Sequence, residues 1–197
     1  MNGAPASAIV LAGGMATRLG GDKAGRELRG RTLLENSLQI ARAACDDIVV
    51  ASGARSFDVP SGVRLALDDP AHAGAGPLAG VAAGLAAARN DRVLVLACDL
   101  PNVTPQLVGA LLAALEDADC AYCSHAADEP LLAAMRRDAA RLAVGQALAA
   151  RRYKVIPVWQ SLNPRVLSGS ALARYGDPAR LFANVNTPQD LERESGA

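Results

Sequence analysis

The amino-acid sequence predicts an α/β fold, a three-layer α/β/α sandwich built around a mainly parallel sheet. Short apolar runs bounded by turn residues alternate with helix-like stretches over most of the 197 residues, as expected of successive βαβ units. The run 93–96 is apolar at every position, which is typical of a strand covered by helices on both faces. Because the chain has no repeat and no linker-like tract, residues 1–197 are expected to form a single domain.

The individual elements follow from these runs and from local start signals. The predicted strands are 7–12, 46–51, 63–67, 92–98, 119–123 and 154–158. The predicted helices are 32–44, 78–89, 105–116 and a last one at the C-terminus. Thr104-Pro105 and Thr187-Pro188 each place a capping hydroxyl before a proline at the first helical position, and so mark two helix starts.

Composition excludes some classes of partner. Twenty basic residues balance twenty acidic ones without a basic run, so no nucleic-acid partner is expected. No apolar stretch approaches the roughly 20 residues needed to span a bilayer, so no membrane partner is expected either. The first residues, MNGAPAS, lack the basic start and apolar middle of a signal peptide. These features predict a cytoplasmic protein.

Cys120 and Cys123 form the one close pair among four cysteines, and His125 follows them. A metal site is conceivable, but a zinc site normally needs four ligands, commonly as two paired sets. The second set is missing, and the pair lies within an apolar run predicted to be a strand. Incidental reduced thiols are therefore the favoured interpretation.

The most informative stretch is LAGGMATRLGGDK, residues 11–23, which directly follows the first predicted strand. Its spacing fits neither a Walker A loop nor the G-x-G-x-x-G dinucleotide fingerprint. Gly13 and Gly14 let the backbone approach a ligand and present N–H groups to an anion. Arg18 supplies a planar fork and Lys23 a point charge for phosphate oxygens. The pattern predicts a polyphosphate site, and the alternative is a surface turn with solvated charges.

Asp99 stands immediately after the buried-type strand 92–98, where open α/β sheets bind their ligands. A carboxylate facing a polyphosphate is a natural anchor for Mg²⁺, which usually takes one or two carboxylates plus substrate oxygens. The alternative is a loop aspartate that caps the following helix, but Thr104 already supplies that cap. Metal binding is therefore the favoured role.

Residues 67–80 (LDDPAHAGAGPLAG) form a second glycine-rich connection. Asp68 and Asp69 end a strand, and the glycines that follow open a helix. Such a loop can wall a base pocket, but a plain strand–loop–helix connection fits equally well. His72 is interpreted as a solvated loop residue.

Residues 182–191 (FANVNTPQDL) hold two asparagines. In an extended segment Asn184 and Asn186 share one face, whereas Val185 points to the other. Two amides projecting together could bind a polar heterocycle or a phosphate. Turn-forming asparagines leading into the helix cap are the alternative.

Taken together, LAGG-x₃-R-L-G-G-D-K, D-x₇-PLAG, CD-x-P and NVNTP, in this order, resemble the molybdenum cofactor guanylyltransferases over nearly the whole chain. The resemblance implies a Rossmann-like nucleotidyltransferase fold that uses Mg²⁺ as cofactor. It implies transfer of GMP from GTP to molybdenum–molybdopterin, with release of pyrophosphate. It also implies protein partners that deliver molybdopterin and molybdoenzymes that receive the product.

The resemblance assigns roles by matching motif. It places Arg18, Lys23 and Asp99 in catalysis, with Asp99 as the Mg²⁺ ligand. Asn184 and Asn186 would face the pterin-bearing substrate. The residues implied in nucleotide binding are Leu11, Ala12, Gly13, Gly14, Lys23, Asp69, Gly76, Pro77, Gly80 and Asp99.

Two departures from the family pattern, and the choice of base, stay open at this point. Ala51, followed by Ser52, stands where the family often has an asparagine, and Gly25-Arg26 replace apolar residues after Lys23. Gly13 favours GTP, since related cytidylyltransferases carry alanine there and a missing methyl group could make room for a purine. The alternatives are a cytidylyltransferase for the same pterin, a sugar-phosphate nucleotidyltransferase, and a catalytically silent nucleotide-binding regulator.

Overall fold

A computed structural model of the chain describes residues 4–13, 15–16, 21–22 and 24–196. Its centre is a seven-stranded sheet, accompanied by two short two-stranded ladders. The strands are β1 (Ala6–Leu11), β2 (Met15–Ala16), β3 (Gly21–Asp22), β4 (Glu27–Leu28), β5 (Arg31–Thr32), β6 (Asp47–Ala51), β7 (Val63–Ala66), β8 (Arg92–Ala97), β9 (Cys120–Ser124), β10 (Asp128–Arg136) and β11 (Pro164–Ser168).

Helices connect the strands and cover both faces of the sheet. They are α1 (Leu33–Arg42), α2 (Pro77–Ala87), α3 (Pro105–Ala113), α4 (Arg137–Ala149), α5 (Val155–Gln160), α6 (Ser170–Ala173), α7 (Pro178–Leu181) and α8 (Pro188–Ser195). Single 3₁₀ turns occupy Pro70–His72 and Ala114–Glu116. None of the helices in the described part of the chain is long and apolar enough to cross a bilayer.

The sheet order is β11-β9-β10-β8-β1-β6-β7. β1 pairs in parallel with both β6 and β8, and β7 continues in parallel beyond β6. β10 runs antiparallel between β8 and β9, whereas β11 is parallel to β9. Six of the seven strands therefore point the same way, which confirms the predicted mainly parallel α/β sheet.

The three layers follow from the apolar runs in the strands. Along β1, Val10 packs into the cluster that holds the buried sides of α1 and α3. Its neighbour Ile9 packs into the opposite cluster, with residues of α2, α4 and α5. Because alternate residues of a strand face opposite sides, a strand buried on both sides must be apolar throughout, as β1 and β8 are.

The helix start signals work as expected. The Thr104 hydroxyl accepts a hydrogen bond from the Leu107 backbone N–H, and Pro105 opens α3. Thr187 forms a reciprocal capping box with Asp190 at the start of α8. The predicted helix 105–116 is divided by the structure into α3 and the 3₁₀ turn at its end.

The prediction of a strand at 154–158 is wrong, since these residues belong to α5. Val155, Val158 and Trp159 are its buried residues, and that spacing lies on one face of a helix. Pro157 falls in the first turn, where a proline costs little because the N–H groups there have no partner within the helix. Short apolar runs alone do not separate strand from helix.

Two strands of the seven-stranded sheet were missing from the sequence prediction, β10 and β11. β10 carries Pro130, and its pairing with β9 shifts register between Glu129 and Ala133, which breaks the regular alternation. The indole N–H of Trp159 donates to the Pro130 carbonyl over 2.8 Å and supports this irregular stretch. Residues 124–150 thus complete the sheet through β10 and cover it through α4.

Cys120 and Cys123 lie in β9 on opposite faces of the sheet, one in each apolar cluster. Burial raises the pKa of each thiol to about 12, so neither is ionised near neutral pH. Two thiols on opposite faces cannot bind one ion together. Among the described residues, no group of three or more His, Cys, Asp or Glu side chains could hold a metal ion.

Candidate active site

A cleft of about 410 Å³ opens at the carboxyl ends of the central strands. Leu11, Ala51 and Ala97 are the last residues of β1, β6 and β8, and all three lie in its wall. From β1 the chain builds outward through β6 and β7, then crosses back through α2 to β8 on the other side of β1. Open α/β sheets bind their ligands at such a switch point, and the volume suits a small molecule.

The first wall of the cleft is the loop after β1. The Ala12 N–H donates to the Ala51 carbonyl over 2.8 Å, and the Arg55 guanidinium donates to the Ala12 carbonyl over 3.0 Å. Gly13 lies against the backbone of Gly53. A Cβ built on Gly13 would be 2.5 Å from the Gly53 nitrogen, a distance that no side chain tolerates.

This packing corrects the argument that Gly13 makes room for a purine. The position a methyl group would occupy is already filled by the Ser52–Gly53 backbone, not by open space in the cleft. Glycine at 13 is required by the close approach of two loops. An alanine there would need another path of the loop after β6.

Three residues predicted for this loop, Gly14, Arg18 and Lys23, lie outside the described residues. The described flanks pair as a short antiparallel ladder, β2 with β3, in which Met15 is opposite Asp22. The roles of Gly14, Arg18 and Lys23 stay predictions.

The second wall is the connection into α2. Gly76 adopts φ +62° as the residue before the helix, and Pro77 is the first helical residue. A Cβ on Gly80 would be 3.2 Å from the Leu11 side chain and 3.5 Å from the Ala51 Cβ. Gly76, Pro77 and Gly80 all line the cleft, so small residues bring α2 close to the strand ends.

The two neighbouring aspartates of this connection have different surroundings. Asp69 is exposed, and its carboxylate accepts a hydrogen bond of 2.8 Å from the Ala71 N–H, capping the 3₁₀ turn. Asp68, not Asp69, lies in the cleft wall. The nucleotide contact assigned to Asp69 stays a prediction, and its capping bond directs its carboxylate toward the 3₁₀ turn. The sequence could not tell the two apart, because they are adjacent and both come shortly after β7.

Asp68 has an unusual environment. Its Oδ1 atom is buried without a hydrogen-bond partner. Burial raises the pKa of the Asp68 carboxyl, and the nearby His72 lowers it. His72 also lines the cleft and is half-buried, whereas the sequence indicated a solvated loop residue.

Asp99 also lines the cleft, two residues after the end of β8, and is half-buried. Glu129 on β10 is near enough for the charge of Asp99 to act on it. Burial raises the pKa of the Glu129 carboxyl, and the negative charge of Asp99 raises it further. No motif pointed to Glu129, because its position depends on the pairing of β10, a strand that the sequence analysis did not find.

The asparagine pair sits beside the Asp99 loop but does not line the cleft. The Val185 N–H donates to the Asp99 carbonyl over 3.0 Å, and the Val185 side chain is buried with Leu28 and Leu33. Asn184 is half-buried and Asn186 exposed, on either side of the buried Val185, and the segment is not a regular strand.

The hydrogen bonds of the two asparagines favour the alternative interpretation, in which they form the turn that leads into the α8 cap. The Asn184 amide donates to the Phe182 carbonyl over 3.4 Å. The Asn186 backbone N–H donates to the Asp190 carboxylate over 3.0 Å and joins the α8 cap. The substrate role assigned to both residues stays a prediction.

Ala51 and Ser52 occupy the position where the family often carries an asparagine, and neither side chain offers a polar group to the cleft. Ala51 presents only a methyl group there. Ser52 is fully buried, and its hydroxyl donates to the Arg55 carbonyl. Ser52 therefore holds the turn at the end of β6 rather than replacing the missing amide.

Comparison with known proteins gives a consistent family match. Residues 8–161 match the family described as the MobA-like NTP transferase domain. The probable molybdenum cofactor guanylyltransferase of Pelotomaculum thermopropionicum is 30% identical over 187 residues, which are 94% of this chain and 90% of the relative.

Solved structures of nucleotidyltransferases have the same fold as this chain. The molybdopterin-guanine dinucleotide biosynthesis protein A of Archaeoglobus fulgidus superimposes with a TM-score of 0.77 at 25% identity, over 96% of this chain and 97% of its own. The 2-C-methyl-D-erythritol 4-phosphate cytidylyltransferase of Thermus thermophilus gives a TM-score of 0.70 at 20% identity, over 96% and 97% of the two chains. The second likeness concerns the fold alone.

Proposed function

Because this chain belongs to the MobA-like NTP transferase family, we propose that it transfers GMP from GTP to the terminal phosphate of molybdenum–molybdopterin. A phosphate oxygen of molybdopterin bonds to the α-phosphorus of GTP, and the bond from that phosphorus to the bridging oxygen of the β-phosphate breaks. Pyrophosphate leaves, and the product is the guanine dinucleotide. The named activities of the relatives support this choice of substrates.

One observation carries the proposal. A single cleft brings together the loop after β1, the glycine-rich entry into α2, and Asp99. In the proposed complex the backbone of Leu11, Ala12 and Gly13 contacts the nucleoside. Gly76, Pro77 and Gly80 bound the base. Small residues suit this task because the backbone itself can approach the ligand.

The chemistry of the transfer reaction suggests a role for each of the remaining predicted residues. The attacking phosphate is already anionic, so the reaction needs alignment and charge neutralisation more than a general base. Arg18 and Lys23 hold the triphosphate and stabilise the charge that develops on pyrophosphate. Asn184 and Asn186 orient the pterin-bearing substrate beside Asp99, where Val185 anchors their segment.

The residues at Asp99 fit Mg²⁺. The donors there are hard oxygen ligands, the carboxylates of Asp99 and Glu129, whose charges interact. Mg²⁺ is commonly held by one or two carboxylates together with substrate phosphates, not by a full protein cage. When bound, the ion would supply positive charge to the phosphate oxygens.

The rival functions differ in what they predict for one assay. Purified protein is incubated with molybdenum–molybdopterin, Mg²⁺ and each of the four nucleoside triphosphates in turn, and pyrophosphate and the dinucleotide are quantified. We expect product with GTP at least tenfold faster than with CTP. A preference for CTP would identify a cytidylyltransferase, and tight GTP binding with no transfer would identify a silent regulator.

A further inference from the structure

Arg55 connects the loop after β6 to the loop after β1. Its guanidinium donates to the Ala12 carbonyl over 3.0 Å. The backbone of Arg55 is itself fixed, because its carbonyl accepts from the Ser52 hydroxyl and its N–H donates to the Ser52 carbonyl over 3.4 Å. A hydrogen bond from a charged donor is roughly twice as strong as one between neutral groups, so Arg55 holds the Ala12 carbonyl firmly.

The direction of the Ala12 carbonyl continues the alternation of β1. The Leu11 carbonyl accepts from the Cys98 N–H over 3.3 Å, on the β8 side of the strand. The Ala12 N–H donates to the Ala51 carbonyl over 2.8 Å, on the β6 side. The Ala12 carbonyl points to the β6 side again, but β6 ends at Ala51. The Arg55 side chain therefore supplies the donor that a longer strand would have offered.

The same bond determines where the Gly13 N–H points. The Ala12 carbonyl and the Gly13 N–H belong to one trans peptide, in which the two groups point in opposite directions. With the carbonyl directed to Arg55, the N–H points to the β8 side, where Asp99 follows the strand. Ala12, Gly13 and Asp99 line the cleft, whereas Arg55 lines a separate cavity beside α1. Arg55 thus acts on the cleft from outside it.

We propose that Arg55 is a positioning residue for nucleotide binding, which fixes the Ala12–Gly13 peptide so that the Gly13 N–H donates to an oxygen of the bound nucleoside triphosphate. The bond to the guanidinium also polarises this peptide, which makes its N–H a stronger donor. Arg55 acts through Gly13 and not by touching the reacting atoms. The inference rests on the proposed function, because it takes the cleft as the nucleotide site.

A purely structural role of Arg55 makes a different prediction. Gly13 already packs against the Gly53 backbone, and the Ala12 N–H is bonded to the Ala51 carbonyl. The loop after β1 therefore keeps its place without the guanidinium, and what changes is the direction and polarity of one peptide. A positioning role alters nucleotide affinity, whereas a structural role alters only the free energy of unfolding.

The experiment compares the full chain with Arg55→Met, Arg55→Lys and a matched control, Arg136→Met. Arg136 is likewise half-buried and donates to a backbone carbonyl, that of Leu115, over 2.6 Å. It lies at the end of the sheet opposite the cleft, where it pairs with Arg92, the first residue of β8. Calorimetry measures binding of Mg²⁺–GTP, steady-state transfer gives kcat and KM, and urea unfolding gives the stability.

Arg55→Met retains an unbranched side chain but removes the donor. It should weaken GTP binding and raise the KM for GTP on the order of 10-fold. The kcat should change by less than about threefold, because a contact made equally in the ground and transition states affects KM alone. Arg55→Lys keeps a charged donor and should recover part of the affinity. Arg136→Met should bind GTP as the wild-type chain does, whatever its effect on stability.

A second measurement needs no variant. In protein labelled with ¹³C at alanine carbonyls and ¹⁵N at glycine, the Gly13 N–H is observed among the Ala–Gly pairs of the chain. Its proton resonance should move downfield when GTP binds, because the N–H gains an acceptor. Gly84, another Ala–Gly pair, lies within α2 and does not line the cleft, so its resonance should stay in place.

Three results would overturn the inference: unchanged GTP affinity in folded Arg55→Met, an equal loss of affinity in Arg136→Met, or a Gly13 resonance that does not respond to GTP. Each can occur in a chain that transfers GMP, so the proposed function would survive it. The opposite case is also distinguishable. Weakened GTP binding in Arg55→Met, with a responsive Gly13 but no pyrophosphate released by the wild-type chain, would support the inference and contradict the proposed function.

Discussion

The backbone N–H of Val185 donates to the carbonyl oxygen of Asp99 over 3.0 Å. This bond joins the loop between α7 and α8 to the loop that follows β8. It uses the backbone carbonyl of Asp99 and not its carboxylate. Val185 is itself buried against Leu28 and Leu33. The loop that carries Asp99 is therefore positioned from a distant part of the chain.

Asp99→Ala should nearly abolish transfer, by at least about 100-fold in kcat/KM, while the fold persists. Alanine keeps the carbonyl that Val185 uses and removes only the carboxylate. Lys23→Ala should cause a comparable loss, because the charge developing on pyrophosphate loses its partner. Steady-state pyrophosphate release gives the activity, and thermal unfolding checks the fold. Full activity in either folded variant would contradict the assigned roles.

Glu129→Gln should increase the Mg²⁺ concentration needed for half-maximal activity, on the order of 10-fold. The reason is that Glu129 lies close enough to Asp99 for the two charges to interact, and the neutral amide is a poorer magnesium ligand. Magnesium titrations of the transfer rate measure the effect. Glu116→Gln, an exposed glutamate on a 3₁₀ turn, is the matched control, and equal titration curves for both variants would remove Glu129 from the metal site.

Gly13→Ala should destabilise the protein by about 1–3 kcal/mol, because the new Cβ meets the Gly53 backbone and neither loop can yield as a flexible side chain would. Gly109→Ala is the control, since nothing lies within 4 Å of a Cβ at this exposed helical position. That change should stabilise the protein by about 0.5–1 kcal/mol. Urea unfolding measures both. A neutral Gly13→Ala would show that the loops are not in close contact.

Acid stability should depend on Asp47, at the end of the sheet opposite the cleft. Burial would raise the pKa of its carboxyl, but hydrogen bonds from the Ser7 hydroxyl, the Arg89 N–H and the Arg64 guanidinium outweigh burial and lower it. A lowered pKa in the folded state means that stability is fully present above the unfolded value of about 3.9. It is lost as the pH falls through the lower folded value.

Asp47→Asn should therefore cost about 1–3 kcal/mol at pH 7 and flatten the decline of stability below about pH 5. Urea unfolding at several pH values from 7 to 3 measures both effects. Transfer activity at pH 7 in folded protein should be unchanged, because Asp47 begins β6 and the cleft lies at the other end of that strand. An unaltered pH profile would mean that other carboxylates dominate acid unfolding.

Much of the scaffold was accessible from the sequence because its signals are local. β1 and β8 are continuous apolar runs, and Thr104 and Thr187 cap the helices that they were predicted to start. The motif residues at 11–13, 76, 77, 80 and 99 all line one cleft, since the carboxyl ends of parallel strands meet at one edge of the sheet.

What the sequence did not reveal depends on contacts between distant segments. The requirement for Gly13 comes from Gly53, and the choice between Asp68 and Asp69 comes from how the chain leaves β7 toward α2. Glu129 approaches Asp99 only because β10 pairs antiparallel beside β8. The run 154–158 is a helix because Trp159 extends its buried face toward β10.

The measurement that tests the central claim most directly follows the phosphorus atoms of GTP. Purified protein is supplied with molybdenum–molybdopterin, Mg²⁺ and GTP labelled either at the α- or at the γ-phosphate, and the products are separated. The α-label should appear in the pterin dinucleotide and the γ-label in pyrophosphate, in equal amounts. Transfer of the γ-label to the pterin, or release of phosphate without a labelled pterin product, would contradict guanylyl transfer.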